Sequence, residues 1–272
     1  MPDMSTTLRH AFRRVLNRRS HVRAGRLEVI PSFASAILGN ERQITVYVPP
    51  GYDERSERRY PVLYMQDGQN LFDDSRAFAG VSWRLHRAAD DAIGGRTAQP
   101  MIIVGVDHMH AGRINEYTPV FDEDKKAGGR ADDYGRMLIE ELKPLIDSRY
   151  RTIPEGSTIG GSSLGGLVSL YLALMRDEFR AAAVMSPSVW WRNRAILEAV
   201  ADSARRPRLW LDVGGREGRE AISDVRTLNE RLRERGWSER NLRFFEDRRA
   251  DHSERAWGGR VRKVLEFLFP TE

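Results

Sequence analysis

From about residue 27 onward, short apolar runs alternate with longer segments in which apolar residues return at helical spacing. The runs Leu27–Phe33, Arg42–Val48, Val62–Met65, Met101–Val106, Thr158–Gly160, Ala182–Met185, Leu209–Val213 and Leu242–Phe245 predict strands. The second alternates through ITVYV, while several others are continuously apolar, as strands buried on both faces are. Helical spacing predicts helices over 83–93, 131–149, 165–176, 192–201, 220–235 and 254–269. In the helix over 131–149, Met137, Leu138, Leu142, Leu145 and Ile146 form the apolar stripe, and Asp132 is its expected cap. Val48-Pro49-Pro50-Gly51 ends a strand in a turn, and Gly128-Gly129 breaks the loop before that helix. The alternation, without repeats, predicts a doubly wound α/β protein. Its central sheet is mostly parallel, of about eight strands flanked by helices, with the first strands antiparallel at one edge.

Charge changes the picture less than its total suggests. The 272 residues carry 44 Lys+Arg against 39 Asp+Glu, a net +5 that hints at a polyanionic partner. Residues 1–27 alone hold seven arginines and one acid, Asp3, so the rest of the chain nets −1. The expected organisation is therefore a basic N-terminal arm, 1–26, followed by one domain, 27–272, and no nucleic-acid partner is called for. The arm has no apolar core of a secretory signal, and no stretch reaches the ~20 apolar residues of a transmembrane helix. A cytoplasmic protein is expected. The absence of cysteine rules out disulfides, thiolate metal sites and a cysteine nucleophile.

The chemistry concentrates at residues 157–167, STIGGSSLGGL, which run from an apolar strand through a Gly/Ser turn into the helix LVSLYLALM. Gly161, Ser163 and Gly165 satisfy G-x-S-x-G, the nucleophile elbow. A nucleophile on so sharp a turn takes a strained backbone, and a Cβ two positions away on either side would collide with it. The following helix offers its first N–H groups to a developing oxyanion.

A serine nucleophile needs a base. In α/β-hydrolases the order is Ser, acid, His, and His252 is the one histidine after Ser163, in the polar loop following Leu242–Phe245. The acid should follow an intervening strand. Leu209–Val213 is that strand, making Glu217 in Gly214-Gly215-Arg216-Glu217-Gly218 the first choice and Asp212 the second. Asp224 reads as the solvated face of the next helix. The oxyanion donors are expected to be the N–H of Leu164 and that of Gln69, in the Asp67-Gly68-Gln69 turn after Val62–Gln66.

These motifs together resemble the putative-esterase (esterase D-like) family of α/β-hydrolases, which includes enterochelin esterases, S-formylglutathione hydrolase, feruloyl esterases and mycolyltransferases. The resemblance is carried by VLYMQDGQNLFD (62–73), MIIVGVDH (101–108), RINEYTP (113–119), IGGSSLGGLVSLYLAL (159–174), MSPSVWW (185–191), LDVGGREG (211–218) and DHSERAW (251–257). It implies the α/β-hydrolase fold, Ser163, His252 and Glu217 as catalytic residues, and Gln69 and Leu164 at the oxyanion hole. It also implies Ser188, Trp190 and Trp191 beside the elbow and Arg113 near the substrate. The bland alternatives are core packing for the two tryptophans and an Arg113–Glu116 ion pair holding a loop.

The expected function is a cofactor-free serine esterase acting on a small or medium acyl, aryl or siderophore-type ester. An acyltransferase using the same residues and a non-catalytic binding protein on this fold are the alternatives. A small-molecule ester is the expected partner, and a homodimer is compatible with the chain. Asp107-His108-Met109-His110 holds an H-x-H, but no second ligand cluster accompanies it, so no metal is expected.

Overall fold

Eight strands hydrogen-bond side by side in one sheet. The structure, a computed structural model, describes residues 24–271. Across the sheet they run β1 (Arg26–Ser35), β2 (Asn40–Val48), β4 (Ile102–Val106), β3 (Val62–Gln66), β7 (Ser157–Ser162), β8 (Phe179–Met185), β9 (Arg208–Gly214) and β10 (Leu242–Asp247). β1–β2 and β2–β4 pair antiparallel and every later pair is parallel, as the sequence leads one to expect. A two-stranded ribbon, β5 (Phe121–Asp122) with β6 (Ala127–Gly128), stands apart; its strands are too short to register as a pattern.

The pleat sorts successive side chains to opposite faces. Val62, Tyr64, Ile102 and Val104 enter one core; Leu63, Met65 and Ile103 enter the other. The first core is closed by α3 (Ala131–Arg136), α4 (Lys143–Arg149), α5 (Leu164–Met175), α6 (Ile196–Asp202) and α7 (Arg219–Glu234). The second is closed by α1 (Leu85–Gly94) and α8 (Glu254–Leu268). A short helix, α2 (Arg113–Glu116), follows β4. Among the described residues no helix is long and apolar enough to cross a membrane.

Three local expectations are corrected. The helix over 131–149 is continuous but widens into π geometry at Met137–Leu142, which periodicity alone does not report. Asp132 does not cap it; its carboxylate instead accepts from Tyr171 Oη (3.1 Å) and Arg176 (2.7 Å) on and after α5. Asp224 is not on a solvated face but buried on α7, paired at 2.6 Å with Arg194, which lies in a left-handed turn before α6. The basic arm lies outside the described residues except for its last three. There Gly25 N–H donates to Asp90 Oδ1 (2.8 Å), and Arg26 pairs with Glu28 and Asp53.

One buried ion pair ties the antiparallel edge to the loop after β4. Arg42 of β2 donates to both oxygens of Glu116 (2.9 Å each), and Asn40 Nδ2 adds a third bond to that carboxylate. Removing one partner of such a pair strands a charge in the interior. Glu116→Ala is expected to cost about 3–5 kcal/mol of unfolding free energy, read by chemical denaturation. A loss below about 1 kcal/mol, the range of a surface pair, would contradict burial of the Arg42 charge.

Candidate active site

The carboxyl ends of β3, β7, β8, β9 and β10 all open on one edge of the sheet, where ligands of α/β folds bind. β7 ends at Ser162 and α5 begins at Leu164, so Ser163 alone makes the turn. Its backbone stands at φ 57°, ψ −123°, a region L-residues avoid. The turn is clamped: Ser163 N–H donates to Met185 O, and Ser163 O accepts from Leu167 N and Ser188 N, all at 3.0 Å. The flanking glycines are required by contact. A Cβ on Gly161 would lie 2.8 Å from the Gly165 carbonyl carbon and 2.9 Å from Gln66 Cβ; one on Gly165 would lie 3.0 Å from Gln66 Cβ.

Two further loops bring their side chains to Ser163. Gly215 N–H donates to Asp247 O (2.7 Å) and Arg216 N–H to Ala250 O (2.9 Å), lacing the loop after β9 to the loop after β10. The lacing sets Glu217 beside His252. His252 Nδ1 lies 2.8 Å from Glu217 Oε2, and His252 Nε2 lies 3.1 Å from Ser163 Oγ. Residues from three loops thus form one hydrogen-bonded row across 89 positions of sequence. The edge of the His252 ring meets Trp257, centroids 4.8 Å apart, which limits its rotation.

The Glu217 carboxylate is fully engaged. Its Oε1 accepts from Gly214 N–H (2.7 Å) and Ser186 Oγ (2.6 Å), leaving Oε2 for the imidazole. Burial pushes this carboxyl up, but the bonds from His252, Ser186 and Gly214 outweigh it and hold it below its ordinary value.

Asp212, the second candidate acid, points elsewhere. It is fully buried and accepts from Arg260 (2.9 Å), Trp210 Nε1 (2.8 Å) and Ser186 N–H (3.2 Å). Arg260 also donates to Ser186 Oγ (3.1 Å), as does Trp257 Nε1 (3.0 Å), so that hydroxyl is driven to give its own proton to Glu217. No sequence motif singles out Ser186 or Arg260 for this position. The available signal was a charge inside an apolar stripe: Arg260 stands among Trp257, Val261, Val264 and Leu265, and an arginine there needs a buried acid.

A cleft of about 260 Å³ opens beside Ser163. Leu164, Ser188, Trp190, Ala221 and Val225 line it together with His252 and Glu217. Ser188 Oγ is 3.3 Å from Ser163 Oγ. The two tryptophans separate: Trp191 is buried and donates to Val120 O (2.8 Å), whereas Trp190 is half exposed on the cleft wall, with Lys125 Nζ 5.9 Å from its ring.

Arg113 does not pair with Glu116, which is taken by Arg42. It makes a two-pronged bond to Asp67 (2.7 and 2.8 Å) behind the elbow and is not among the residues lining the cleft. Leu164 is the first residue of α5 and Gln69 the second of a 3-10 turn, positions whose N–H groups have no acceptor within their own helix. Gly68 serves β4 rather than a ligand, since a Cβ there would lie 2.6 Å from the Gly105 carbonyl carbon. His110 N–H donates to His108 Nδ1 (2.8 Å), and among the described residues no group of three or more His, Asp or Glu side chains gathers to hold a metal ion.

A family model described as "Putative esterase" matches residues 35–268. Uncharacterized protein YbbA of Bacillus subtilis is 26% identical over 84% of this chain and 92% of its own length. Ferri-bacillibactin esterase BesA of the same organism is 28% identical over 51% of each chain. The crystal structure of BES protein from Bacillus cereus superposes with a TM-score of 0.73 at 24% identity, over 89% of this chain and 94% of the other, and shows the shared fold.

The depressed Glu217 carboxyl has a pH consequence. A carboxyl with a folded value below its unfolded one, about 4.3, contributes stability present above that value and lost as pH falls through the folded one. Glu217→Gln removes the titrating group. The gap in Tm between wild type and variant should therefore narrow as pH falls below about 5; a gap that stays constant on acidification would refute the assignment of these bonds to an ionised Glu217.

Proposed function

The chain belongs to the putative esterase family, and from that premise we propose that it is a serine carboxylic-ester hydrolase working through an acyl-enzyme. The observation that carries the reading is the hydrogen-bonded row Ser163 Oγ, His252 Nε2, His252 Nδ1, Glu217 Oε2. His252 Nε2 takes the Ser163 proton as Oγ attacks the ester carbonyl, and Glu217 stabilises the imidazolium and fixes the tautomer with Nδ1 protonated. The N–H groups of Leu164 and Gln69 receive the developing oxyanion; that of Leu164 adds the positive end of α5. The imidazolium then gives its proton to the leaving alcohol, and the freed base draws a proton from water to hydrolyse the acyl-Ser163 ester.

The cleft suggests the scale of the substrate. Trp190, Ala221 and Val225 give it an apolar wall, suited to a short acyl or single aryl group, and Ser188 is a polar contact beside the attacking oxygen. Siderophore-type esters remain within the reading because BesA is named as a ferri-bacillibactin esterase. In this proposal residues 27–272 act as one catalytic unit, in the cytoplasm, on small-molecule esters. Transfer of the acyl group to an alcohol uses the same residues, and product analysis with an alcohol present distinguishes it from hydrolysis.

Ser163→Ala should lower turnover of p-nitrophenyl butyrate on the order of 10⁴- to 10⁶-fold and abolish labelling by a fluorophosphonate probe. Wild-type rates in that variant would sink the proposal.

A further inference from the structure

On the opposite edge of the sheet, the amino ends of β8, β9 and β10 surround an open depression of about 500 Å³. Its wall holds five guanidiniums, those of Arg180, Arg205, Arg206, Arg208 and Arg240, and one carboxylate, that of Asp177. β9 spans seven residues, so the depression lies about 20 Å from the edge bearing Glu217. It is not part of the ester site and is independent of it.

The way these arginines are held is informative. Many others among the described residues meet carboxylates: Arg42, Arg113, Arg226 and Arg260 are examples. Here only Arg205 does, bonding Asp177 (2.5 Å) and Phe179 O (2.9 Å). Arg206 is fixed by uncharged acceptors, the carbonyls of Arg235, Ser203 and Arg205, and lies 4.7 Å from the centre of the Trp237 ring. Arg208 stacks 4.3 Å over Phe267. The side chains of Arg180 and Arg240 make no hydrogen bond or ion pair among the described residues, and both are exposed.

The nearby acids do not neutralise the group. Glu239 is taken by Arg233 (2.7 Å), and Glu178 faces a separate depression with Arg136 and Arg176. Three guanidiniums are therefore held in place, two make no hydrogen bond or ion pair, and four of the five lack a carboxylate partner. Guanidiniums match phosphate oxygens in paired, charge-assisted bonds, and a group already fixed loses little freedom on binding. Several such charges in one concavity call for a ligand with several anionic centres in a row rather than one.

We propose that this depression binds an oligophosphate, a di- or triphosphate chain either free or carried on a nucleotide. Arg205, Arg206 and Arg208 form the fixed floor, and Arg180 and Arg240 close over the anion.

The test is calorimetric titration of the full-length protein, at constant ionic strength, with tripolyphosphate, ATP and sulfate. Tripolyphosphate should bind one per chain, more tightly than sulfate. Arg180→Ser/Arg240→Ser, which removes no internal hydrogen bond or ion pair, should weaken it by about a hundredfold for two lost charge-assisted bonds. Arg9→Ser/Arg13→Ser makes the same charge change on the N-terminal arm and should leave binding unchanged. ATP binding as well as tripolyphosphate identifies a nucleotide as the source; ATP binding at least tenfold more weakly identifies the free chain. No heat of binding, sulfate equal to tripolyphosphate, or equal loss in the two double variants overturns the proposal.

Discussion

The site rests on a single residue held where its backbone would not go by itself. Ser163 at φ 57° costs on the order of 1–3 kcal/mol and persists because its neighbours allow nothing else. The backbone of β7 and α5 passes so close to the end of β3 that Gly161 and Gly165 have no room for a Cβ against Gln66. Three backbone bonds, to Met185, Leu167 and Ser188, hold the turn from both sides. The large apolar core on both sheet faces supports this conformation. Without it the serine hydroxyl would not stand at the sheet edge within reach of two loops from later strands.

Behind that turn lies a second constraint, electrostatic rather than steric. A buried Arg260 is tolerable only with a buried acid, and Asp212 supplies it. The pair orders Ser186 between Arg260, Trp257 and Glu217, so that a carboxylate facing the imidazole is fixed by a hydroxyl whose direction is set from deep in the fold. Burial pushes the Asp212 carboxyl up against the pull of Arg260, whereas donors on both oxygens hold Glu217 down. Two acids, one inside β9 and one in the loop that follows it, are thus given different jobs by their surroundings: Asp212 anchors, and Glu217 faces His252.

The arginine excess divides in the same physical terms. Much of it is compensated pair by pair, as with Arg42 and Glu116 between β2 and the loop after β4, or Arg113 and Asp67 behind the elbow. In the depression at the amino ends of β8, β9 and β10, carbonyls and aromatic faces hold Arg206 and Arg208 in place of carboxylates. Net charge could not reveal this, since the chain total is dominated by the seven arginines of residues 1–27.

The eight strands and the main helices were legible because burial on two faces leaves continuous apolar runs and burial on one leaves a helical stripe, both local properties of the chain. The elbow was legible because a strained turn demands glycine at fixed offsets, and His252 because it is the one histidine after Ser163. The chain by itself therefore determined the fold class and a short set of candidates: Ser163, His252, and either Glu217 or Asp212. Only the tertiary structure set Glu217, not Asp212, within hydrogen-bond reach of His252, moved Arg113 from Glu116 to Asp67, and divided Trp190 in the cleft from Trp191 in the core. The reason is that a side chain's partner is set by which loops the sheet brings together, and β9 and β10 meet at a register that no local pattern encodes.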